Sequence, residues 1–303
     1  MKDCIIIGSG PAGMSAAIYC RRAGLDISVI ERYAAGGQVM NTYEVENYPG
    51  FPEPVSGFDL VDAMSKQAER FGAGTVSCDV VSYEKRADGI FEVKGSAGEK
   101  YEARALILAM GSSYRRLGVP GEAEFTGRGV SYCATCDGAF YKGKITAVVG
   151  GGNTALEEAI FLTRFASKVY LVHRRDAFRA DKIIVDRVLA NDKIEIIYDT
   201  VVESVAGDGK VNAMNIRNKK SGEAKSVQID GFFVFVGYDA NTSVVQKDIL
   251  DSDGQIRVDL SMRTPVEGLF AAGDIRSSSK RQIVMACADG ATAAMSAYEY
   301  LNR

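Results

Sequence analysis

The chain of 303 residues contains a single histidine, His173. No metal cage of several imidazoles can form, and a Ser-His-Asp hydrolase would have to be built on this one residue. A zinc site would need cysteines and carboxylates instead, and a second Cys-x-x-Cys pair is missing. No metal is therefore expected. No apolar run approaches the ~20 residues of a membrane-spanning helix. A net charge of −3 gives no basic footprint for nucleic acid. The start, "MKDCIIIGSG", runs from a strand directly into a glycine loop. That leaves no room for a signal peptide and predicts a cytoplasmic protein. In that compartment six cysteines do not suggest a structural disulfide framework. Cys4, Cys20, Cys78 and Cys287 are isolated, and each is expected to act as a small buried hydrophobe. Only Cys133 and Cys136 are paired, in "YCATCDG". That spacing can close a redox-active disulfide, form half of a zinc site, or hold two inert thiols.

The length suggests two domains. "CIIIGSG" reads as a strand, residues 12–24 as a helix and "DISVIE" as the next strand, together a βαβ unit. Residues 57–72 read as an amphipathic helix, and residues 75–108 as antiparallel strands with polar turns. The pattern then restarts. "KITAVVGGGNTALEEAIFLTRFASKVYLVHRR" is again strand, glycine loop, helix and strand. Residues 194–236 repeat the antiparallel pattern. The stretch "GLFAAGDI" with the helix "MACADGATAAMSAYEYL" is expected to return and complete the first domain. The second domain would then be an insertion, connected near residues 112–118 and 237–243. The expected class is α/β: two Rossmann-like dinucleotide-binding domains of three-layer ββα form.

The first glycine loop is Gly8-Ser9-Gly10-Pro11-Ala12-Gly13. Glycines let a backbone turn tightly and approach a pyrophosphate at a helix N-terminus. Glu31 ends the following strand, where a carboxylate can accept from ribose hydroxyls. The second loop contains Gly150, Gly152, Asn153, Thr154 and Ala155. The residue at the offset of Glu31 is His173, followed by Arg174 and Arg175, with Arg179 nearby. Guanidinium forks suit a phosphate dianion, so this loop predicts NADPH rather than NADH. A solvated basic loop is the plainer alternative. With NADPH assigned to the second loop, FAD is expected at the first.

The chain closely resembles the low-molecular-weight, bacterial-type thioredoxin reductases. The resemblance spans nearly the whole sequence, in "GSGPAG", "GGQ", "EVENYPGF", "YCATCDG", "VVGGGNTALEEA", "HRRDAFRA" and "LFAAGD". It implies an FAD-binding domain of residues 1–114 and 242–303, with an NADPH-binding domain of residues 115–241 inserted. It adds Gly37, Gln38, Asn47, Val80, Ala109, Gly111, Asp274, Arg281, Gln282 and Ile283 to the FAD residues, and Gly237 to those for NADPH. Met110, the segment Arg276 to Lys280, and Ala288 with Asp289 depart from the residues usual in the family.

The implied route runs from NADPH to FAD, then to a Cys133–Cys136 disulfide, then to the disulfide of thioredoxin. Cys136 would face the flavin and Cys133 would close the ring. Asp137 is the local candidate for general acid, with a helix N-cap or a turn acid as its plainer role. Rotation of one domain against the other would alternate the half-reactions, in a homodimer. Two other readings remain at this stage. One is a related flavin enzyme with another electron donor, such as ferredoxin, or another dithiol or disulfide substrate. The other is a flavin-binding redox sensor without turnover.

Overall fold

A computed structural model describes residues 1–42 and 44–303. The chain divides into two compact units, Met1–Ser113 with Asp239–Arg303, and Tyr114–Tyr238. The segments that pass between them, Ser112–Tyr114 and Tyr238–Ala240, are paired as a two-stranded ribbon.

In the first unit the strand Lys2–Ile7 lies between Ile27–Glu31 and Lys100–Leu108, parallel to both. Its β-branched run suits a strand buried on both faces. Successive side chains point to opposite faces. Cys4 and Ile6 therefore join the cluster under the helices Pro11–Arg22 and Ile283–Leu301. Ile5 and Ile7 face a second cluster containing Tyr83, Phe91 and Val93. These come from the antiparallel strands Val80–Lys85 and Phe91–Gly95. The long strand Lys100–Leu108 pairs with Phe91–Gly95 through its first half and with the late strand Leu269–Ala271 through its second. That late strand and the C-terminal helix complete the first unit. The two helices are rich in small residues and pack closely. A Cβ at Gly290 would sit 2.0 Å from the carbonyl oxygen of Ala12.

The second unit has a five-stranded sheet, all parallel, in the order Ile194–Ile197, Lys168–Val172, Ile145–Gly150, Gly231–Phe235, Val130–Ser131. The helices Asn153–Leu162 and Lys182–Leu189 cover one face through Leu156, Leu162 and Val188. The other face packs on an antiparallel sheet of Thr200–Asp208, Lys210–Asn218 and Ala224–Gln228. Both units are thus Rossmann-like, with helices, parallel sheet and antiparallel strands in three layers.

Two stretches differ from the sequence reading. Thr75–Ser77 joins the parallel sheet beside Ile27–Glu31. Ile194–Ile197 and Gly231–Phe235 likewise belong to the parallel sheet, so the antiparallel layer of the second unit spans only residues 200–228. An apolar run such as "GFFVF", buried along its whole length, carries no alternation to separate the two kinds of strand.

Candidate active site

In the first unit the glycine loop is locked from below. Gly8 has φ +103°, and a Cβ there would lie 2.3 Å from the Ala109 carbonyl oxygen. A Cβ at Gly13 would lie 1.8 Å from the Gly8 carbonyl oxygen. Gly10 and Gly37 bring bare backbone to the same place, and a Cβ on Gly10 would meet only Gly37 Cα, at 3.9 Å. Gly10 precedes the helix Pro11–Arg22 and supplies no side-chain cap, so the first N–H groups of that helix keep capacity for an anion. This open cradle suits a pyrophosphate.

Glu31 does more than wait for a ribose. Its Oε2 accepts from Ser9 N at 2.8 Å and Ser9 Oγ at 3.1 Å, and its Oε1 accepts from Tyr33 N at 3.0 Å. A carboxylate has about four acceptor positions, so one more bond can be taken.

Other expected residues converge through short links. Gln38 donates to the Ser112 carbonyl at 3.3 Å, and Ser112 Oγ donates to Asp274 Oδ2 at 3.5 Å. Asn47 donates to Gln282 Oε1 at 3.0 Å. Burial raises the Asp274 carboxyl above its ordinary value, opposed by Ser279, Arg281 and Ser112. Arg281 is exposed with φ +54°, and Ile283 starts the C-terminal helix. Gly111 has φ +62°. Val80 stands apart, packed against the apolar cluster of the antiparallel layer.

Two sets of buried polar contacts escaped the sequence reading. Arg276 and Asp289 form a bidentate ion pair at 2.8 Å for both bonds. In the second unit Glu122 accepts from Leu117 N and Tyr132 Oη, each at 2.8 Å. Of the isolated cysteines, Cys4, Cys20 and Cys78 are buried. Cys287 is only half-buried, with the Tyr48 hydroxyl 3.7 Å from its sulfur.

The second glycine loop is held by different chemistry. A Cβ on Gly150 would lie 2.4 Å from the Phe235 carbonyl oxygen, and one on Gly151 would lie 2.1 Å from the His173 ring. His173 is buried, with Nδ1 2.9 Å from the Gly150 carbonyl oxygen and Nε2 3.1 Å from that of Ala177. Only an imidazolium could donate to both. Burial opposes that charge, Arg175 and Arg174 oppose it further, and together they lower the pKa. The ring lies beneath the loop, while Arg174, Arg175 and Arg179 are exposed. Asn153 exchanges bonds with Asp181, donating to Oδ2 at 2.7 Å and accepting from its N–H at 2.8 Å. Gly152 has open space where a Cβ would be, Thr154 is half-buried and Ala155 buried. Gly237, with φ +122°, accepts from Arg115 N at 2.9 Å.

Cys133 and Cys136 are joined as a disulfide, with Cα atoms 5.4 Å apart. Cys133 caps, and Cys136 lies within, one turn of helix, Ala134–Asp137, that follows the edge strand Val130–Ser131. Ser131 Oγ accepts from Cys133 N at 3.1 Å, and Cys133 Sγ accepts from Cys136 N at 3.1 Å. Cys133 is half-buried and Cys136 exposed. Asp137 starts the following turn, Gly138–Tyr141, but its side chain makes no capping bond there.

The turn rests on the helix Asn153–Leu162, and the sequence reading passed over the residue that meets it. Glu158 faces the N–H groups of Ala134 and Thr135, which favour its charged form. Among the described residues neither its Oε2 nor Thr135 Oγ1, both buried, has a hydrogen-bond partner. Burial, with a smaller push from Glu157, raises the Glu158 carboxyl to about 7 against the pull of those two N–H groups. The signal was present in "NTALEEAIFL". Positions 155, 158 and 162 share the inward helix face, so an acid at 158 had to be sheltered.

Among the described residues no three His, Cys, Asp or Glu side chains converge as a metal site. Among them, too, no helix is long and apolar enough to cross a membrane.

A model of the pyridine nucleotide-disulphide oxidoreductase family matches residues 2–290. The thioredoxin reductase of Helicobacter pylori is 45% identical over 310 residues, covering 100% of this chain and 99% of that protein. The thioredoxin reductase of Listeria innocua is 47% identical over 303 residues, covering 99% and 94%. The crystal structure of the Lactococcus lactis thioredoxin reductase superposes with a TM-score of 0.97 at 40% identity, covering 100% and 99%.

Proposed function

The chain belongs to the pyridine nucleotide-disulphide oxidoreductase family, within it to the bacterial-type thioredoxin reductases, and we propose that it draws electrons from NADPH, passes them through FAD to the Cys133–Cys136 pair, and so reduces the disulfide of a thioredoxin. One observation carries this reading. The second unit holds both an oxidised cysteine pair, with Cys136 exposed, and a glycine loop flanked by three exposed arginines.

The residues fit both cofactors. FAD would lie on the backbone cradle of Gly8 to Gly13 and Gly37, with the spare acceptor position of Glu31 for a ribose hydroxyl. Gln38, Asn47, Ala109, Gly111, Asp274, Arg281, Gln282 and Ile283 would supply the remaining contacts. NADPH would lie on Gly150, Gly152, Asn153, Thr154 and Ala155, with Gly237 nearby. Arg174, Arg175 and Arg179 would hold its 2′-phosphate. Buried under Gly151, His173 would act by supporting the loop rather than by touching the phosphate.

Reduction breaks the sulfur–sulfur bond and leaves two cysteines. A thiolate then attacks the substrate disulfide to form a mixed disulfide. The second cysteine attacks that bond, restores the Cys133–Cys136 pair and releases the substrate as a dithiol. Asp137 is the candidate to protonate the departing sulfur. The paired segments Ser112–Tyr114 and Tyr238–Ala240 would serve as the hinge for a rotation between half-reactions. The family resemblance carries a homodimer and a cytoplasmic setting into the same proposal.

The test is NADPH-dependent reduction of a panel of thioredoxins by the wild-type enzyme and by Cys136→Ser. Turnover is expected only in the wild type, and turnover surviving in the variant would overturn the assignment.

A further inference from the structure

We propose that Glu158 is a positioning residue of the disulfide centre, holding the turn Ala134–Asp137 by its N–H groups and taking up a proton when the Cys133–Cys136 bond is reduced. The inference rests on the reading that this pair cycles between disulfide and dithiol.

Three features of the geometry point to it. The carboxyl faces the N–H groups of Ala134 and Thr135, the two residues between the cysteines, on the helix that packs under their turn. Its second oxygen, Oε2, is out of solvent and has no partner, which leaves a position for a proton. Among the described residues no ion pair joins it to a cation, although an unpaired buried carboxylate is costly. If holding the turn were the whole task, a glutamine would supply the same acceptor without that cost.

The surrounding groups allow the titration. The turn brings Asp137, the helix Lys182–Leu189 brings Lys182, Asp186 and Arg187, and the strand Lys168–Val172 brings Lys168 and Tyr170. The neighbouring Glu157 acts on Glu158 through space and also favours the proton. With its carboxyl raised to about 7, Glu158 is poised near neutrality.

The oxidised centre, with Glu158 ionised, gains two electrons from the enzyme's reductant and two protons from solvent. The sulfur–sulfur bond breaks. One proton ends on a cysteine sulfur and the other on Glu158 Oε2, leaving one thiolate. A new thiolate beside the carboxylate raises the proton affinity of each, so the two titrate together.

The holoenzyme and Glu158→Gln, both reduced with dithiothreitol, are alkylated with iodoacetamide across a pH series. The reaction is read on the peptide carrying Cys133 and Cys136. In acid the two proteins should react at equal rates. As pH rises through neutrality the wild-type carboxylate suppresses its thiolate, and the variant should become about tenfold faster, the effect of one pK unit. A rate ratio that stays constant with pH would mean a purely structural role and overturn the proposal. Should the variant not fold, infrared difference spectra of the wild type decide the matter. A protonated-carboxyl band must grow on reduction near neutral pH, and its absence overturns the proposal. Because dithiothreitol supplies the electrons, failure of NADPH to reduce the wild type would instead count against the proposed function.

Discussion

Replacing Asp289 by Leu should cost the first unit more stability than any surface substitution. The Arg276 and Asp289 side chains are only 11% and 6% exposed. The carboxylate takes two guanidinium bonds at 2.8 Å, and Oδ2 also accepts from Gly273 N at 3.2 Å. Deleting it strands a buried guanidinium and an N–H group, which costs about 3–5 kcal/mol. Arg276→Met strands the carboxylate instead and should cost a similar amount. The double variant Arg276→Met/Asp289→Leu removes both charges and refills the volume, so it should fall within about 1–2 kcal/mol of wild type. The coupling between the sites would then be several kcal/mol. The assay is urea unfolding followed by circular dichroism at fixed FAD concentration, since a bound ligand adds its own stabilisation. The coupling should also resist salt, unlike that of exposed pairs. Two single losses that simply add in the double variant would refute the view that the ion pair acts as a unit.

Gly13→Ala places a Cβ against the Gly8 carbonyl, so flavin content per chain should collapse; near-normal content would contradict the loop geometry. Arg174→Ala/Arg175→Ala removes charge-assisted bonds worth about 1.5–3 kcal/mol each. The KM for NADPH should rise at least about tenfold while that for NADH barely moves, and equal effects on both would remove the 2′-phosphate assignment. Burial raises Glu158 from its ordinary 4.5 to about 7, so between those values the unfolded chain releases a proton that the folded chain keeps. This contribution to stability is intact below 4.5 and falls away as pH rises to about 7, by up to about 3 kcal/mol. Glu158→Gln lacks that slope, and parallel urea midpoints for variant and wild type across the window would refute it.

Most of the architecture was legible because two signals are local. Glycine loops between a strand and a helix announce themselves in a few residues, and they recur twice here. The pairing partners of uniformly apolar strands were not legible. "GFFVF" is buried on both faces, and nothing in its pattern distinguishes parallel from antiparallel neighbours. Contacts between distant segments were equally hidden. Arg276 and Asp289 stood out in the sequence only as unexpected residues, and their bond exists because the C-terminal helix returns past the turn at Gly273–Ile275. Glu158 was hidden in a different way. Its place on an inward helix face could be read from spacing, but its partners, Ala134 and Thr135, come from a turn that precedes the strand before it.

The comparison of Glu31 with His173 shows why matching offsets misled in one respect. Both residues stand at the end of the second strand of a βαβ unit, and both bond to the glycine loop of their own unit. Glu31 does so by accepting from Ser9 N–H and hydroxyl, and His173 by bonding to the Gly150 carbonyl. The shared duty of the position is therefore to brace the loop. A carboxylate can brace and still offer one acceptor outward, because it has more lone pairs than the loop uses. A neutral imidazole with both nitrogens facing backbone carbonyls has nothing left to offer. In the second unit the charge that would meet a phosphate has accordingly moved to the next residues, Arg174 and Arg175, where the side chains are free to reach outward.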